Sequence, residues 1–106
     1  MAYKKIAARS LERVVEALCA DYPRRKTAIT EEILPLRVLV EYKFLNKKLL
    51  EGAVEIVGTA YAEEFIDDIG ARRGYAKSSI DLFSEVRYKA VKAEIKLNIA
   101  KKLLLI

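Results

Sequence analysis

Basic side chains recur at helical spacing in the last quarter of this chain. Lys89, Lys92 and Lys96 are three and four residues apart, so a helix would carry them on one face. A second set of positions has the spacing of a buried face: Tyr88, Val91, Ile95 and Ile99. A helix that packs on one side and presents cations on another suits nucleic-acid binding, although many ordinary surface helices share this pattern.

The start of this helix carries groups that can read bases. Ser84 is a good N-cap, and Glu85 lies where the helix dipole favours an anion. In a helix-turn-helix unit the first residues of the second helix reach base edges, which here are Ser84, Glu85, Arg87 and Tyr88. Arg87 could bind guanine, and Glu85 could accept a hydrogen bond from cytosine.

Phosphate contacts would give affinity without sequence information. The cations expected to make them lie on the helix or just before it: Lys89, Lys92, Lys96, Arg72, Arg73 and Lys77. The alternative for each lysine is a solvated surface residue. The alternative for Tyr88 is a core aromatic.

The composition gives little support for an enzyme or a metal-binding protein. The chain has no histidine and one cysteine, which excludes the commonest general base, a metal cluster and an internal disulfide. Four carboxylates share a predicted helix face and favour a solvated acidic surface over a divalent-metal site: Glu63, Glu64, Asp67 and Asp68. Cys19 fits a small core residue better than a reactive thiol. We expect no enzyme activity, no metal and no cofactor.

The length of the chain favours a single domain, and the distribution of charged residues along it favours surfaces of opposite charge. The 106 residues are 53% hydrophobic and 33% charged, typical of a single globular domain. Net charge is +4 over residues 1–30, −5 over 31–71 and +6 over 72–106. The first 18 residues carry charges throughout, unlike a signal peptide, and no apolar run is long enough for a membrane span. We therefore expect a cytoplasmic protein with no membrane or small-molecule partner.

The hydrophobic periodicity predicts an all-α fold, a compact bundle of four to five helices with a C-terminal helix-turn-helix-like unit. Helices are predicted over residues 3–21, 36–57, 60–69, 80–83 and from 84 onward, with a connector over 23–32. The dense apolar residues of 36–57 predict a central helix buried along much of its girth. Thr30 and Thr59 are predicted N-caps, and Gly70 a helix terminator. Residues 1–58 would form a helical hairpin and 59–106 the DNA-binding unit of one domain.

Residues 63–106, EEFIDDIGARRGYAKSSIDLFSEVRYKAVKAEIKLNIAKKLLLI, resemble the C-terminal region of small phage and prophage transcriptional regulators of the ArpU and RinA type. The likeness lies in the helix ending IGARRGY, the Ser-Glu opening at Ser84, the Arg-Tyr-Lys segment and the run KLNIAKKL. These regulators are similar to sigma-factor region 4. The resemblance implies binding to promoter DNA, contact with RNA polymerase and control of late phage genes. The segment from Gly74 to Ser84 exceeds a simple helix-turn-helix turn, so it holds the first helix of the unit or marks altered geometry.

Two functional hypotheses follow. One is sequence-specific binding of double-stranded DNA in transcriptional regulation; the other is a phage packaging or structural adaptor that binds protein without reading DNA. A DNA reader should expose the basic face of the last helix. An adaptor should expose an apolar patch and pair its lysines with Glu or Asp of the acidic middle segment, residues 31–71. The apolar end, Leu103 to Ile106, should pack on the core or on a second copy in a homodimer.

Overall fold

The computed structural model describes residues 6, 8–80 and 83–106, and confirms the all-α class. The described residues form five α-helices: α1 (Arg9–Ala20), α2 (Tyr22–Glu31), α3 (Leu36–Val57), α4 (Ala62–Ala71) and α5 (Glu85–Lys102). A single 3₁₀ turn, Tyr75–Lys77, lies between α4 and α5. The predicted bounds of α3 are confirmed. The predicted start of the first helix at Tyr3 lies outside the described residues, as do Asp81 and Leu82 of the predicted helix over 80–83.

The segment predicted as a connector is helix α2, so that prediction is wrong. Pro23 is at the start of α2, where a missing N–H costs nothing and the fixed φ suits a helix. Thr30 is within α2 and its hydroxyl donates to the Lys26 carbonyl, 3.1 Å away, instead of capping a helix. Thr59 likewise does not cap α4, whose N-cap is Tyr61.

A buried arginine fastens α2 to its neighbours. Arg25 is only 2% exposed, and its Nε donates to Asn46 Oδ1 of α3 over 2.7 Å. One of its terminal nitrogens donates to the Leu18 carbonyl of α1 over 2.5 Å, and Asn46 Nδ2 donates to the Tyr22 carbonyl over 3.3 Å. A terminal nitrogen of Arg25 also lies 3.3 Å from Asp21 Oδ2. Because the charge and the buried polar groups all have partners, this network fixes α2 against α3 without leaving an uncompensated charge.

α3 packs against α2, α4 and α5, as the predicted central helix should, but the more evenly buried helix is α5. Across residues 90–100, all of which the structure describes, every residue is buried or half-buried. α5 packs on α3 on one side, with Ile99 against Gly52, and on α1 on another, with Lys96 against Glu12. The alanines at 90, 93 and 100 are small enough to let neighbouring helices approach closely. A search of the sequence for large apolar residues at helical spacing overlooks such positions.

The close approach of α1 and α4 depends on Gly70. This residue lies inside α4, so its predicted role as a terminator is wrong. A Cβ at Gly70 would lie 2.5 Å from the Ala20 nitrogen, so only glycine admits the α1 backbone at this distance. Helix α4 ends instead at Arg72, which adopts the left-handed conformation with φ 57°. The core therefore joins residues of the N-terminal part, such as Val15 and Cys19, to Phe65 and Ile99 in one cluster.

The apolar C-terminus divides between core and solvent. Leu103 and Leu105 pack against the core cluster, whereas Leu104 and Ile106 are exposed.

Cys19 is fully buried, and this burial raises the pKa of its thiol to about 12. The protonated thiol acts as a small apolar core group, as the sequence predicted.

Candidate functional site

The predicted DNA-binding helix, α5, is exposed in its first turn and again at Lys101 near its far end. Ser84 caps it, as predicted, by accepting a hydrogen bond from the Arg87 backbone N–H over 3.2 Å. Glu85 and Lys89 are both exposed and lie 3.6 Å apart as an ion pair. The Arg87 guanidinium lies 5.6 Å from the centre of the Phe83 ring. A partner could therefore reach this turn without displacing any helix.

The two lysines further along α5 point into the protein. Lys92 Nζ donates to the Arg73 carbonyl over 2.6 Å, and burial lowers the pKa of Lys92. The Lys96 side chain is 13% exposed and lies 3.2 Å from Glu12 and 3.6 Å from Glu16 of α1. A phosphate would have to compete with these internal partners. Lys92 and Lys96 are therefore placed to hold α5 in the bundle.

Asp68 is a buried hub that joins three segments. Its carboxylate accepts from Arg73 Nε over 3.0 Å, from the Ser78 hydroxyl over 2.5 Å and from the Tyr88 hydroxyl over 2.8 Å. Tyr88 is fully buried, and burial together with this hydrogen bond raises its pKa to about 12. Tyr88 is thus the core aromatic that the sequence offered as the alternative to a base-reading residue.

The remaining predicted cations before α5 differ in their surroundings. Arg73 is also ion-paired with Asp67, and its contact with Asp68 raises its pKa. Arg72 is exposed and lies 3.6 Å from Glu16. Lys77 is exposed at the end of the 3₁₀ turn. The contact with Asp68 thus keeps Arg73 partly buried, whereas Arg72 and Lys77 lie at the surface.

The four predicted carboxylates do not form one solvated face, because Asp68 is buried while Glu63, Glu64 and Asp67 are exposed. Glu63 accepts from Lys26 over 2.7 Å and from the Tyr22 hydroxyl over 3.0 Å, and these hydrogen bonds lower its pKa. Among the described residues no group of histidine, cysteine or acidic side chains is arranged to hold a metal ion.

An apolar surface on α3 was missed at the sequence level. It comprises three exposed side chains of α3 and the exposed Ile33 in the turn just before the helix. These residues are 75%, 76%, 56% and 53% accessible in turn, and we call them the α3 stripe: Ile33, Leu36, Val40 and Phe44. Helical geometry places Phe44 and the buried Asn46 on opposite sides of α3. The prediction that α3 is buried along much of its girth is therefore wrong for its N-terminal half. The spacing of four residues from Leu36 to Val40 and from Val40 to Phe44 was the signal that could have separated this face from the core face.

The surface around the stripe carries charges of both signs. Arg37, Lys43 and Lys47 are exposed beside it on α3, as is Glu41, and Glu31 and Glu32 are exposed just before Ile33. Lys48 Nζ lies 5.5 Å from the centre of the Phe44 ring. Further along α3, a shallow groove continues the surface and is lined by Lys47, Leu50, Glu51, Val54 and Glu55. The described part of α3 thus presents a long, continuous face to solvent.

Two further observations bear on partners. No helix within the described ranges combines the length and apolarity that crossing a bilayer requires. Comparison with protein-family models, curated proteins and solved structures finds no match, so the likeness to ArpU- and RinA-type regulators stays a prediction.

Proposed function

We propose that this protein is a helical interaction module that binds another protein through the α3 stripe. The observation that carries the proposal is the row of three exposed apolar side chains, Leu36, Val40 and Phe44, on one face of a helix whose other face is locked in the bundle. Exposed contiguous apolar surface is costly in a monomer and typically marks an interaction site. Lys102 at the end of α5 also supports this function, since it pairs with Glu55 of the acidic middle segment.

The size of the stripe suits a reversible complex. Complete burial of a Val, Leu, Ile or Phe side chain contributes about 1.5–3 kcal/mol, and these four side chains are already partly covered. Their combined contribution is therefore of the same order as the roughly 4–15 kcal/mol that association costs. Added contacts from the neighbouring charged groups and groove would decide the affinity. Such a surface fits an adaptor that exchanges partners.

Site-specific photo-crosslinking tests this function. A photoreactive phenylalanine analogue at Val40 should give crosslinked products of discrete mass in extract of the native host, because Val40 is at the centre of the stripe. The matched control is the same analogue at Val86, which is 69% exposed but lies on α5 away from the stripe. Adding Phe44→Glu to the Val40 protein should remove the products. Equal products at Val40 and Val86, or none at Val40, would contradict the proposal.

DNA binding in transcriptional regulation is the second candidate, favoured by the exposed cations around the start of α5. These are Arg72, Lys77, Arg87 and Lys89. With about four phosphate contacts, log K for duplex DNA should fall with log salt at a slope near −3 to −4. Arg87→Glu should flatten that slope. Lys101→Glu makes the same charge change at the exposed far end of α5 and should have the smaller effect.

Fluorescence anisotropy of labelled duplex DNA measures both slopes. Random-sequence DNA beside DNA from upstream of the protein's own operon would reveal any regulatory preference. An absence of binding near about 50 mM salt, where phosphate contacts are strongest, would remove this candidate and leave the interaction module.

A further inference from the structure

We propose that the partner of the α3 stripe is a second copy of this chain, paired antiparallel along α3 about a two-fold axis at Val40. This inference rests on the proposed function and names the partner of the same surface. Two features of α3 carry it: the symmetric spacing of its exposed apolar residues about Val40, and the arrangement of charges of both signs beside them.

The exposed apolar residues of α3 are spaced evenly about Val40. Leu36 lies four residues before it and Phe44 four residues after it, and all three side chains are more than half exposed. A two-fold axis that crosses both helices at Val40 therefore sets Val40 against its own copy and Leu36 at the height of Phe44. Each copy contributes all three side chains, so one symmetric contact buries a continuous row of six.

The charged residues around this row are balanced in sign. Six of them are exposed and form no ion pair with another described residue: Glu31, Glu32, Arg37, Glu41, Lys43 and Lys47. Because three are acidic and three are basic, the surface has no net charge that a partner must neutralise. Such a surface suits a copy of itself if the symmetry brings opposite charges together.

Antiparallel symmetry brings Arg37 to an acidic residue. With about 3.6 residues per turn, Arg37, Glu41 and Phe44 lie on one side of a line along α3 through Val40, and the two-fold axis sets this side against the same side of the second copy. Arg37 lies about 4.5 Å before Val40 along the helix axis, and Glu41 and Phe44 of the second copy reach about 1.5 Å and about 6 Å before it. Arg37 is therefore placed between a carboxylate and an aromatic ring, which favour a guanidinium through an ion pair and a cation–π contact.

The opposite side of the line carries Leu36, Lys43 and Lys47. Lys43 of the second copy lies at nearly the height of Leu36, so its aliphatic stem covers this leucine while its ammonium stays in water. Lys47 lies about 10.5 Å from Val40, beyond Leu36 at the start of the second copy's α3. Glu31 and Glu32 are exposed at that end, so the basic end of each face meets the acidic end of the other.

A parallel pair of α3 helices would bring like charges together. A two-fold axis along the helices sets every residue at the height of its own copy, so that Arg37 faces Arg37 and Lys43 faces Lys43. Like charges across a helix pair are destabilising. The charges thus favour the antiparallel arrangement over the parallel one.

Sedimentation equilibrium of the purified protein tests the inference. Because one pair of helices makes a small interface, we expect a reversible dimer, of about twice the 12.0 kDa of one chain, with a dissociation constant on the order of 100 μM. Val40→Glu sets two carboxylates against each other at the axis and should weaken the dimer at least about tenfold. Val86→Glu is the matched control, since Val86 is 69% exposed on α5, and it should leave the dimer unchanged. Circular dichroism verifies the fold of both variants.

Disulfide trapping tests the direction of the pair. Val40→Cys should form a disulfide-linked dimer when the protein is oxidised with copper–phenanthroline, because the axis brings the two copies of this position together. Arg37→Cys is the control: in an antiparallel pair it lies about 9 Å from its own copy along the helix axis, beyond the roughly 7 Å that a disulfide spans between Cα atoms. The native Cys19 is buried, so the unaltered protein should give no linked dimer.

Three results would overturn the inference: a monomer at every concentration up to about tenfold above the expected dissociation constant, a dimer that survives Val40→Glu, or equal trapping of Arg37→Cys and Val40→Cys. Photo-crosslinking at Val40 separates its failure from that of the proposed function. With a second copy as partner, the purified protein alone should give a product of twice the chain mass. A product formed only with a different protein in host extract would overturn the inference and leave the interaction module standing, whereas no product at all would overturn both.

Discussion

Gly70→Ala should lower the free energy of unfolding by about 3 kcal/mol. The added methyl would lie 2.5 Å from the Ala20 nitrogen and 2.6 Å from the Ala20 Cα, both backbone atoms of α1. Because backbone cannot turn aside as a flexible side chain can, α1 must move away from α4 and open the core around Val15 and Phe65. The gain in helix propensity, about 1 kcal/mol for Ala over Gly, offsets only part of that cost.

Chemical denaturation monitored by circular dichroism measures the loss, and the melting temperature should fall by on the order of 12 °C. Gly74→Ala is the control, since a Cβ there meets nothing within 4 Å and the φ of −89° suits alanine. It should change stability by less than about 0.5 kcal/mol. Equal stability for Gly70→Ala and the wild type would mean that α1 and α4 do not pack as closely as the structure shows.

The individual helices were more predictable than their burial. The bounds of α3, the Ser84 cap and the buried positions of α5 all follow from local spacing and capping chemistry, which do not need tertiary information. Pro23 follows the predicted end of the first helix, but a proline is equally suited to begin a helix, and local sequence alone does not decide between the two.

The burial of α3 and α5 shows where prediction from sequence failed. α3 has two apolar faces, one with Leu39 and Leu49 and one with Val40 and Phe44, and only the arrangement of the other helices determines which face is covered. α5 looked like a surface helix because of its lysines. Lys96 is nonetheless half-buried in contact with Glu12, a residue 84 positions away in sequence. The candidate surface was therefore hidden among apparent core residues.

Gly70 illustrates the same limit at a single residue. From the local sequence alone, a glycine near the end of a helix is expected to terminate it. In α4 the left-handed residue that terminates the helix is instead Arg72. The role of Gly70 becomes visible only when α1 is placed against it, because the constraint is a distance to Ala20 and not a torsion angle.

Asp68→Ala should lower the free energy of unfolding by about 3 kcal/mol and release the segment between α4 and α5. The substitution leaves the buried Tyr88 hydroxyl without its acceptor and removes the partner of the Ser78 hydroxyl. Removal of one member of a buried charged network typically costs about 3–5 kcal/mol, and Arg73, which can still pair with Asp67, moderates the loss. Denaturant unfolding measures the change in stability.

Limited trypsin digestion adds a local readout, because the released segment contains Arg72, Arg73 and Lys77. Under conditions where the protein stays folded, we expect Asp68→Ala to be cleaved there faster than the wild type. Asp67→Ala is the matched control: this exposed carboxylate also pairs with Arg73, and its loss should cost less than about 1 kcal/mol. If the two variants were equally stable and equally resistant to trypsin, the buried carboxylate would not be what holds this segment to α5. The basic residues at the start of α5 would then owe their placement to the ring contacts of Tyr88 with Phe65 and Tyr75.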